Sequence, residues 1–200
     1  MQSKSILLCS GGLDSQVVAH MLKVKNVETT LLFFDYAQRN LNLERKCVDK
    51  LSKKLGFKLE YVCLEPFSWS DSSIYSRKSD NQNQYIEMRN LIFLSYAMSL
   101  GEKLDIKDLY TGFIEPFEGD KVYPDANSAF VDNFNVFIET FGFRLRAPLS
   151  GMTKDEVIQL AKRYDITLND FISCNVTEND KPCGQCPDCI NVDKFYKNTL

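Results

Sequence analysis

Apolar and polar residues fall along the chain in blocks whose period switches between that of a strand and that of a helix. Lys4–Cys9 is a short apolar run of strand length, and Leu13–Lys23 repeats its apolar residues at helical spacing. Thr29–Phe34, TTLLFF, is β-branched and aromatic and predicts a second strand. Asn40–Leu55 sets Leu43, Cys47, Val48, Leu51 and Leu55 at helical spacing, with Gly56 as its stop. Lys58–Leu64 predicts a third strand and Asp108–Thr111 a fourth, ending at Gly112. Ile86–Leu100 predicts a helix closed by Gly101, Ala126–Phe141 another, Phe143–Ala147 a short strand and Lys154–Tyr164 a last helix. Two stretches have no period: the polar Glu65–Gln84, and Glu115–Asp125 with Pro116, Gly119 and Pro124. Loops of that length commonly carry function. No internal repeat or low-complexity tract is visible.

Strand and helix alternate about five times, which predicts an α/β fold: an open parallel sheet of about five strands with helices on both faces. Such a sheet binds ligands beyond the carboxyl ends of its strands, where the strand order reverses. The first strand-to-helix turn, Ser10-Gly11-Gly12-Leu13-Asp14-Ser15, would lie there. Its glycines allow positive φ and close approach of a ligand to the backbone. Successive N–H groups and the helix N-terminus then favour a phosphate or pyrophosphate, and the hydroxyls of Ser10 and Ser15 add donors. The turn matches neither G-x-x-x-x-G-K-[ST] nor G-x-G-x-x-G, so it is neither a Walker loop nor a dinucleotide fingerprint. A tight turn into a capped helix is the alternative reading. Asp14 would repel phosphates unless Mg²⁺ lies between them or its carboxylate caps the helix.

Composition narrows the class. The 200 residues are 44% apolar and 26% charged, which suits one soluble domain with a small appendage. A net charge of −3 from mixed basic and acidic residues leaves no electrostatic footprint for a nucleic-acid duplex. No apolar span has membrane length, and MQSKSILLCSGG reads as a strand rather than a secretion signal, so a cytoplasmic location is expected. There the seven cysteines would be reduced or metal-bound. Cys9, Cys47 and Cys63 read as small buried hydrophobes. His20 is the single histidine and reads as a packed helix residue, so a His-centred triad is set aside.

The remaining cysteines, Cys174, Cys183, Cys186 and Cys189, lie in CNVTENDKPCGQCPDC at spacings x8, x2 and x2. Four thiolates brought together this way make a closed tetrahedral site suited to structural Zn²⁺, with an iron–sulfur cluster as the alternative. The chain therefore divides into a nucleotide-binding domain over 1–170 and a zinc-binding segment over 171–200 packed on it.

SGGLDS after a first strand resembles the signature of the PP-loop ATP pyrophosphatases. FDYAQRN (Phe34–Asn40) is similar to the F-D-Y-G-Q-R-H segment of the 7-cyano-7-deazaguanine synthase family within that superfamily. RNLIFLSYA (Arg89–Ala97), YTGF…YPD, APLSGMTKDEVIQLA and the terminal cysteines resemble further segments of the family, almost end to end. The resemblance implies the adenine nucleotide α-hydrolase-like (HUP) form of a Rossmann-like fold. It also implies an ATP-dependent, adenylating carbon–nitrogen ligase and nitrile synthase with ATP, Mg²⁺ and structural Zn²⁺. Its reaction would take 7-carboxy-7-deazaguanine and ammonia through an acyl-adenylate and an amide to the nitrile, as in queuosine biosynthesis. A homodimer and no membrane partner are expected.

The site residues follow from the matching segments. Cys9, Ser10, Gly11, Gly12, Leu13, Asp14, Ser15, Phe34 and Asp35 would hold ATP, and Asp14, Ser15, Arg89 and Lys154 are the candidate catalytic residues. Glu115 and Asp125, on the loop after the fourth strand, would accept N–H bonds from the guanine-like edge of the substrate. Phe113, Phe117 and Tyr123 would stack on it, although core packing is the simpler role for each. Arg39 joins Arg89 and Lys154 as a candidate for phosphate or substrate carboxylate. With one histidine no built-in glutaminase is visible, so free ammonium or a separate partner is expected.

Four positions depart from the family pattern: Leu13, where Gln is frequent; IEMRN before the helix at Arg89; Ala126, where Cys is common; and LRAPL in place of an E-T-P-L segment. A relative with a changed acceptor, such as a defence-associated modifier of protein or nucleic acid, or one stopping at the amide, is a second reading. A non-catalytic nucleotide- and zinc-binding interaction module is a third.

Overall fold

In the computed structural model the described residues are 3–70, 72, 74, 85–114, 123–174, 177, 181–186, 189–190, 192–193 and 196. Among them, strands β1 (Lys4–Leu8), β2 (Glu28–Asp35), β3 (Lys58–Cys63), β4 (Asp108–Tyr110) and β5 (Arg144–Arg146) form one parallel sheet in the order β3-β2-β1-β4-β5. Helices α1 (Leu13–Val24), α2 (Leu41–Leu55), α3 (Arg89–Leu104), α4 (Ser128–Ile138) and α5 (Lys154–Arg163) cover it. No helix among the described residues is long and apolar enough to cross a membrane.

The apolar runs of β1 and β2 are continuous because both faces of the sheet are buried. Leu7, Leu31 and Phe33 point to one face and pack with α1, α2 and α5. Ile6, Leu32 and Phe34 point to the other and pack with α3 and α4. Successive strand side chains thus serve two separate cores. β1 pairs with β2 on one side and β4 on the other, so the strand order reverses beside it, and the turns after β1 and β4 meet at the switch point.

Several boundaries differ from expectation for local physical reasons. Helix α3 begins at Arg89, not Ile86, because Met88 stands in the left-handed region at φ 52. Ile86 instead fills the core below. Gly101 does not close α3: a Cβ there would lie 2.5 Å from the Ile106 carbonyl and 2.7 Å from the Phe143 ring, so the residue permits close packing inside a continuing helix. The helix predicted over 126–141 is α4 plus a 3₁₀ turn, Glu139–Phe141. Helix α5 starts as predicted, with a reciprocal capping box between Thr153 and Glu156. Cys9 is buried and Cys47 partly so, but Cys63 is exposed, because β3 is an edge strand with an exposed face. His20 is buried, donates from Nδ1 to the Gln16 carbonyl (2.9 Å) and stacks on Tyr164.

Candidate active site

Past Leu8 the chain makes one more ladder bond, Cys9 N–H to the Leu32 carbonyl (2.9 Å), and then turns through Ser10-Gly11-Gly12. Gly11 stands at φ +78, and a Cβ on it would lie 2.8 Å from the Glu44 carbonyl and 3.2 Å from Cys47 and Val48 of α2. Both the conformation and the close approach require glycine. Gly11→Ala is expected to cost about 2 kcal/mol or more and to weaken nucleotide binding in the same variant; urea unfolding and nucleotide titration check it.

Gly12 is the N-cap of α1 and supplies no side chain. The first intrahelical bond is Gln16 N–H to the Gly12 carbonyl, so the amides of Leu13, Asp14 and Ser15 precede it with no acceptor inside the helix. The Ser10 hydroxyl accepts from Gly12 N–H (3.3 Å), and the Ser15 hydroxyl donates to the Gly12 carbonyl (2.9 Å). These two hydroxyls therefore hold the turn in shape, while the free donors are the amides. Asp14 lies in the first turn and does not cap the helix, so the capping solution to its charge falls away. Its Oδ1 instead meets Lys154 Nζ at 2.7 Å, from the start of α5.

The turn opens into a cavity of about 710 Å³. Cys9, Ser10, Gly12, Leu13, Asp14, Ser15 and Phe34 line it, as do Lys154, Arg89, Arg39, Phe113, Tyr123 and Asp125. Gly112, after β4, crosses directly over the start of α1: a Cβ on it would lie 3.0 Å from the Asp14 carbonyl carbon and from Ser15 N. The predicted meeting of the two loops at the switch point is therefore a backbone contact.

At the far side of the cavity, Asp125 is 1% exposed and its Oδ2 accepts from Asn90 N–H at 2.9 Å, capping α3 from another loop. Its Oδ1 is buried without a partner among the described residues, as are Arg89 Nε and Thr111 Oγ1. Unpartnered buried polar atoms are rare in folded proteins, and these three belong to residues lining one cavity. Arg89 Nη1 donates to the Tyr36 hydroxyl (3.0 Å), and its guanidinium lies over the rings of Tyr36 and Phe93. Tyr85 and Tyr123 stack at 5.8 Å and both line the cavity. Phe113 lines it too, but also packs edge-on against Phe130 in the core.

Other expectations are redirected. Asp35 does not line the cavity: one carboxylate oxygen accepts from Arg45 (3.0 Å) and the other from Ala37 N–H (3.2 Å), because the strand alternation that turns Phe34 inward turns Asp35 toward α2. Arg39 donates to the Thr177 carbonyl (3.4 Å), holding the C-terminal segment. Glu115 and Phe117 lie outside the described residues.

The residue most easily missed is Glu44. It falls on the stripe of Val48, Leu51 and Leu55, the buried residues of α2, and a charged residue in that phase was the available signal. Its Oε2 accepts from Gln38 Nε2 at 2.7 Å, and burial pushes its carboxyl up to about 7 against the lowering effects of Gln38 and Arg89.

The C-terminal segment completes the site. Ile172 N–H donates to the Gly11 carbonyl (3.2 Å), Asn40 Nδ2 to the Cys174 carbonyl (2.5 Å) and Gln16 Nε2 to the Asp170 carbonyl (2.6 Å). Ile172, Ser173 and Val192 line the cavity. Beyond them the sulfurs of Cys174, Cys183, Cys186 and Cys189 all lie within 4.8 Å of one another. Amides of Cys183, Gln185, Cys186 and Cys189 donate to these sulfurs at 3.2–3.4 Å, which stabilises thiolates.

Asp170 anchors this segment, with Oδ1 on Lys50 Nζ (2.8 Å) and Oδ2 accepting from the Thr167 amide and hydroxyl (2.8 and 2.7 Å). Burial raises its pKa, but Lys50 and Thr167 outweigh that and hold it down at about 2. A carboxyl depressed below its unfolded value of about 3.9 stabilises the fold fully above that pH and loses the contribution as pH falls toward 2. Asp170→Asn is expected to cost about 2 kcal/mol at pH 7, the difference from wild type shrinking between about pH 4 and 2; urea titrations across that range measure it.

A parallel sheet reversing at β1, with a glycine turn opening α1 onto a shared cavity, defines a doubly wound α/β protein with its ligand site at the switch point. Solved structures share this fold at low identity. They include the U34-tRNA thiolase NcsA from Methanococcus maripaludis with its [4Fe-4S] cluster (TM-score 0.55, 13% identical, covering 98% of this chain and 66% of that one). They also include a 4-thiouridine synthetase–RNA complex with bound ATP (TM-score 0.52, 16% identical, 98% and 50%). Within that class the chain belongs to the family described as queuosine biosynthesis protein QueC, whose profile matches residues 4–200. Relatives named 7-cyano-7-deazaguanine synthase include that of Campylobacter jejuni, 30% identical with 95% of this chain and 92% of the relative covered. That of Rickettsia bellii is 31% identical, with 98% and 95% covered.

Proposed function

We propose that this chain is an ATP-dependent synthase that converts 7-carboxy-7-deazaguanine and ammonia to 7-cyano-7-deazaguanine through an acyl-adenylate and an amide. Family membership across residues 4–200 supports the reading. The observation that carries it is one cavity with unbonded helix amides at one end and the orphaned polar atoms of Asp125 and Arg89 at the other.

The amides of Leu13, Asp14 and Ser15 receive the triphosphate. Asp14 touches only Lys154 among the described residues, leaving Oδ2 for a cation, so a Mg²⁺ ion fits between it and the phosphates. When bound, that ion neutralises charge on the phosphate oxygens. Asp125 Oδ1 accepts from the guanine-like edge of the substrate, Tyr123 and Tyr85 offer a stacking face, and Arg89 directs the substrate carboxylate toward the α-phosphorus. Free ammonium or a separate partner supplies the nitrogen: His20, the single histidine, donates from Nδ1 to the Gln16 carbonyl, and its buried Nε2 has no hydrogen-bond partner among the described residues, so no Cys–His pair forms there.

The four thiolates suit a single Zn²⁺. Bonds of about 2.3 Å place tetrahedral thiolates about 3.8 Å apart, consistent with sulfurs all within 4.8 Å, whereas a four-iron cluster holds its thiolates farther apart. A colourless protein with one zinc per chain is expected; a brown one overturns the assignment.

The test is mass spectrometry of products after incubation with ATP, Mg²⁺, ammonium and 7-carboxy-7-deazaguanine. The nitrile with release of AMP and pyrophosphate is expected. No AMP formation dependent on the acid overturns the proposal.

A further inference from the structure

Attack of ammonia on the carbonyl carbon of an acyl-adenylate forms the C–N bond and breaks the C–O bond to AMP. The nitrogen of the adduct then carries a proton that must leave for a neutral amide to result. Arg89 and Lys154 are cations and cannot take it, and Asp14 lies against Lys154 at the phosphate end. We propose that Glu44 is the catalytic base that accepts this proton, an assignment that rests on the activity proposed above.

The geometry argues for it. Glu44 lines the cavity from α2. Its backbone carbonyl lies under Gly11, so the residue is fixed against the floor of the phosphate turn. Its carboxylate is within electrostatic reach of Arg89 of α3 and of the thiols of Cys9, at the root of the turn, and Cys47. Arg89 nonetheless spends Nη1 on Tyr36 and keeps Nε unbonded, so no described ion pair closes the space between them. A substrate held by Arg89 and joined to phosphate at the turn would carry its carbonyl carbon within this same cavity, which Glu44 also lines.

The carboxylate is also held in orientation. Gln38 bonds it through Nε2, donates again to the Phe34 carbonyl (3.0 Å) and accepts from Tyr36 N–H through Oε1 (2.9 Å). Among the described residues Gln38 is the single hydrogen-bond donor to this carboxylate, which leaves Oε1 for the nucleophile. Its elevated pKa, about 7, suits a group that takes a proton near neutral pH and gives it up again. In the balanced step, acyl-adenylate, ammonia and Glu44 carboxylate give amide, AMP and Glu44 carboxylic acid, which then releases its proton to solvent.

The experiment separates the two half-reactions in full-length Glu44→Gln. Adenylation is read by exchange of labelled pyrophosphate into ATP with 7-carboxy-7-deazaguanine and no ammonium; amidation is read by amide formation with saturating ammonium. The variant is expected to keep exchange within about threefold and to lose amidation by about 10² or more. The wild-type-to-variant ratio of amidation rates should rise with pH through about 7. Glu44→Asp keeps a carboxylate, should retain part of the amidation and its pH dependence, and carries the test if the glutamine variant does not fold. Parallel loss of exchange and amidation, unchanged amidation, or a ratio independent of pH overturns the assignment. Wild-type protein that shows no exchange with this acid refutes the proposed activity instead.

Discussion

Asp14→Ala is expected to abolish ATP-to-AMP turnover, by a factor on the order of 10³ or more, and to leave the fold intact. The two halves of this expectation have different causes. Asp14 is a partly exposed side chain in the first turn of α1, and its one ion pair, with Lys154, is 39% exposed on the lysine side. Pairs in that setting are worth about 0–1 kcal/mol, and the favourable contact of a carboxylate with a helix N-terminus adds a similar amount. Thermal unfolding should therefore move by only a few degrees. Under the proposed function the carboxylate would bring positive charge, from Lys154 and from a bound divalent ion, to phosphates that the amides alone would leave strongly anionic. Its removal also frees Lys154 to form an ion pair with the phosphates, which holds ATP in the ground state without stabilising the transition state. Binding should thus survive better than turnover: nucleotide titration and an AMP-release assay on the same variant separate the two. Near-normal AMP release by Asp14→Ala would remove the residue from the catalytic set.

The second large effect is expected on removing the metal from the four-cysteine site. Chelation, or Cys186→Ser, should lower stability by about 4 kcal/mol or more, because ligation and the folding of this segment are one event. For a chain of 200 residues that is a fall in Tm of about 8–16 °C. Nucleotide affinity should drop as well. Ile172 holds the Gly11 carbonyl, Asn40 holds the Cys174 carbonyl, and Ile172, Ser173 and Val192 form one wall of the cavity. Releasing the segment therefore loosens the phosphate turn itself. Metal analysis, thermal unfolding and nucleotide titration of the same sample check the coupling. Metal-free protein with unchanged Tm and unchanged affinity would show that the segment only decorates the domain.

Local sequence specifies an element most completely where a period and a stop signal agree. Gly56 in the left-handed region ends α2, and the Thr153–Glu156 capping box starts α5, both consequences of residues within one helical turn. The glycine turn was legible for the same reason, since its geometry resides in consecutive residues, Ser10 to Ser15. The four cysteines were legible as a group because two x2 spacings bring thiols together within a few residues. Failures occurred where distant segments decide. Nothing local reveals that the cap of α3 is supplied by Asp125, 35 residues away from Asn90, or that Met88 rather than Ile86 adjoins the helix start. Gly101 looked like a stop because a glycine ending an apolar period usually is one; only Ile106 and Phe143 show that it is there to be approached.

The sequence by itself determined the α/β class, the order of its elements, the position of the glycine turn before the first helix and the grouping of the four cysteines, because each depends on residue types at short spacing. Tertiary structure decided which of the polar residues share the cavity. It turned Asp35 away toward Arg45, kept Arg39 in the cavity wall while tying it to the C-terminal segment, and brought Glu44 and Thr111 in beside Arg89 and Asp125. Side chains meet there because the ends of β1, β2 and β4 open onto one cavity, and that convergence is a property of how the sheet is ordered, which no window of neighbouring residues contains.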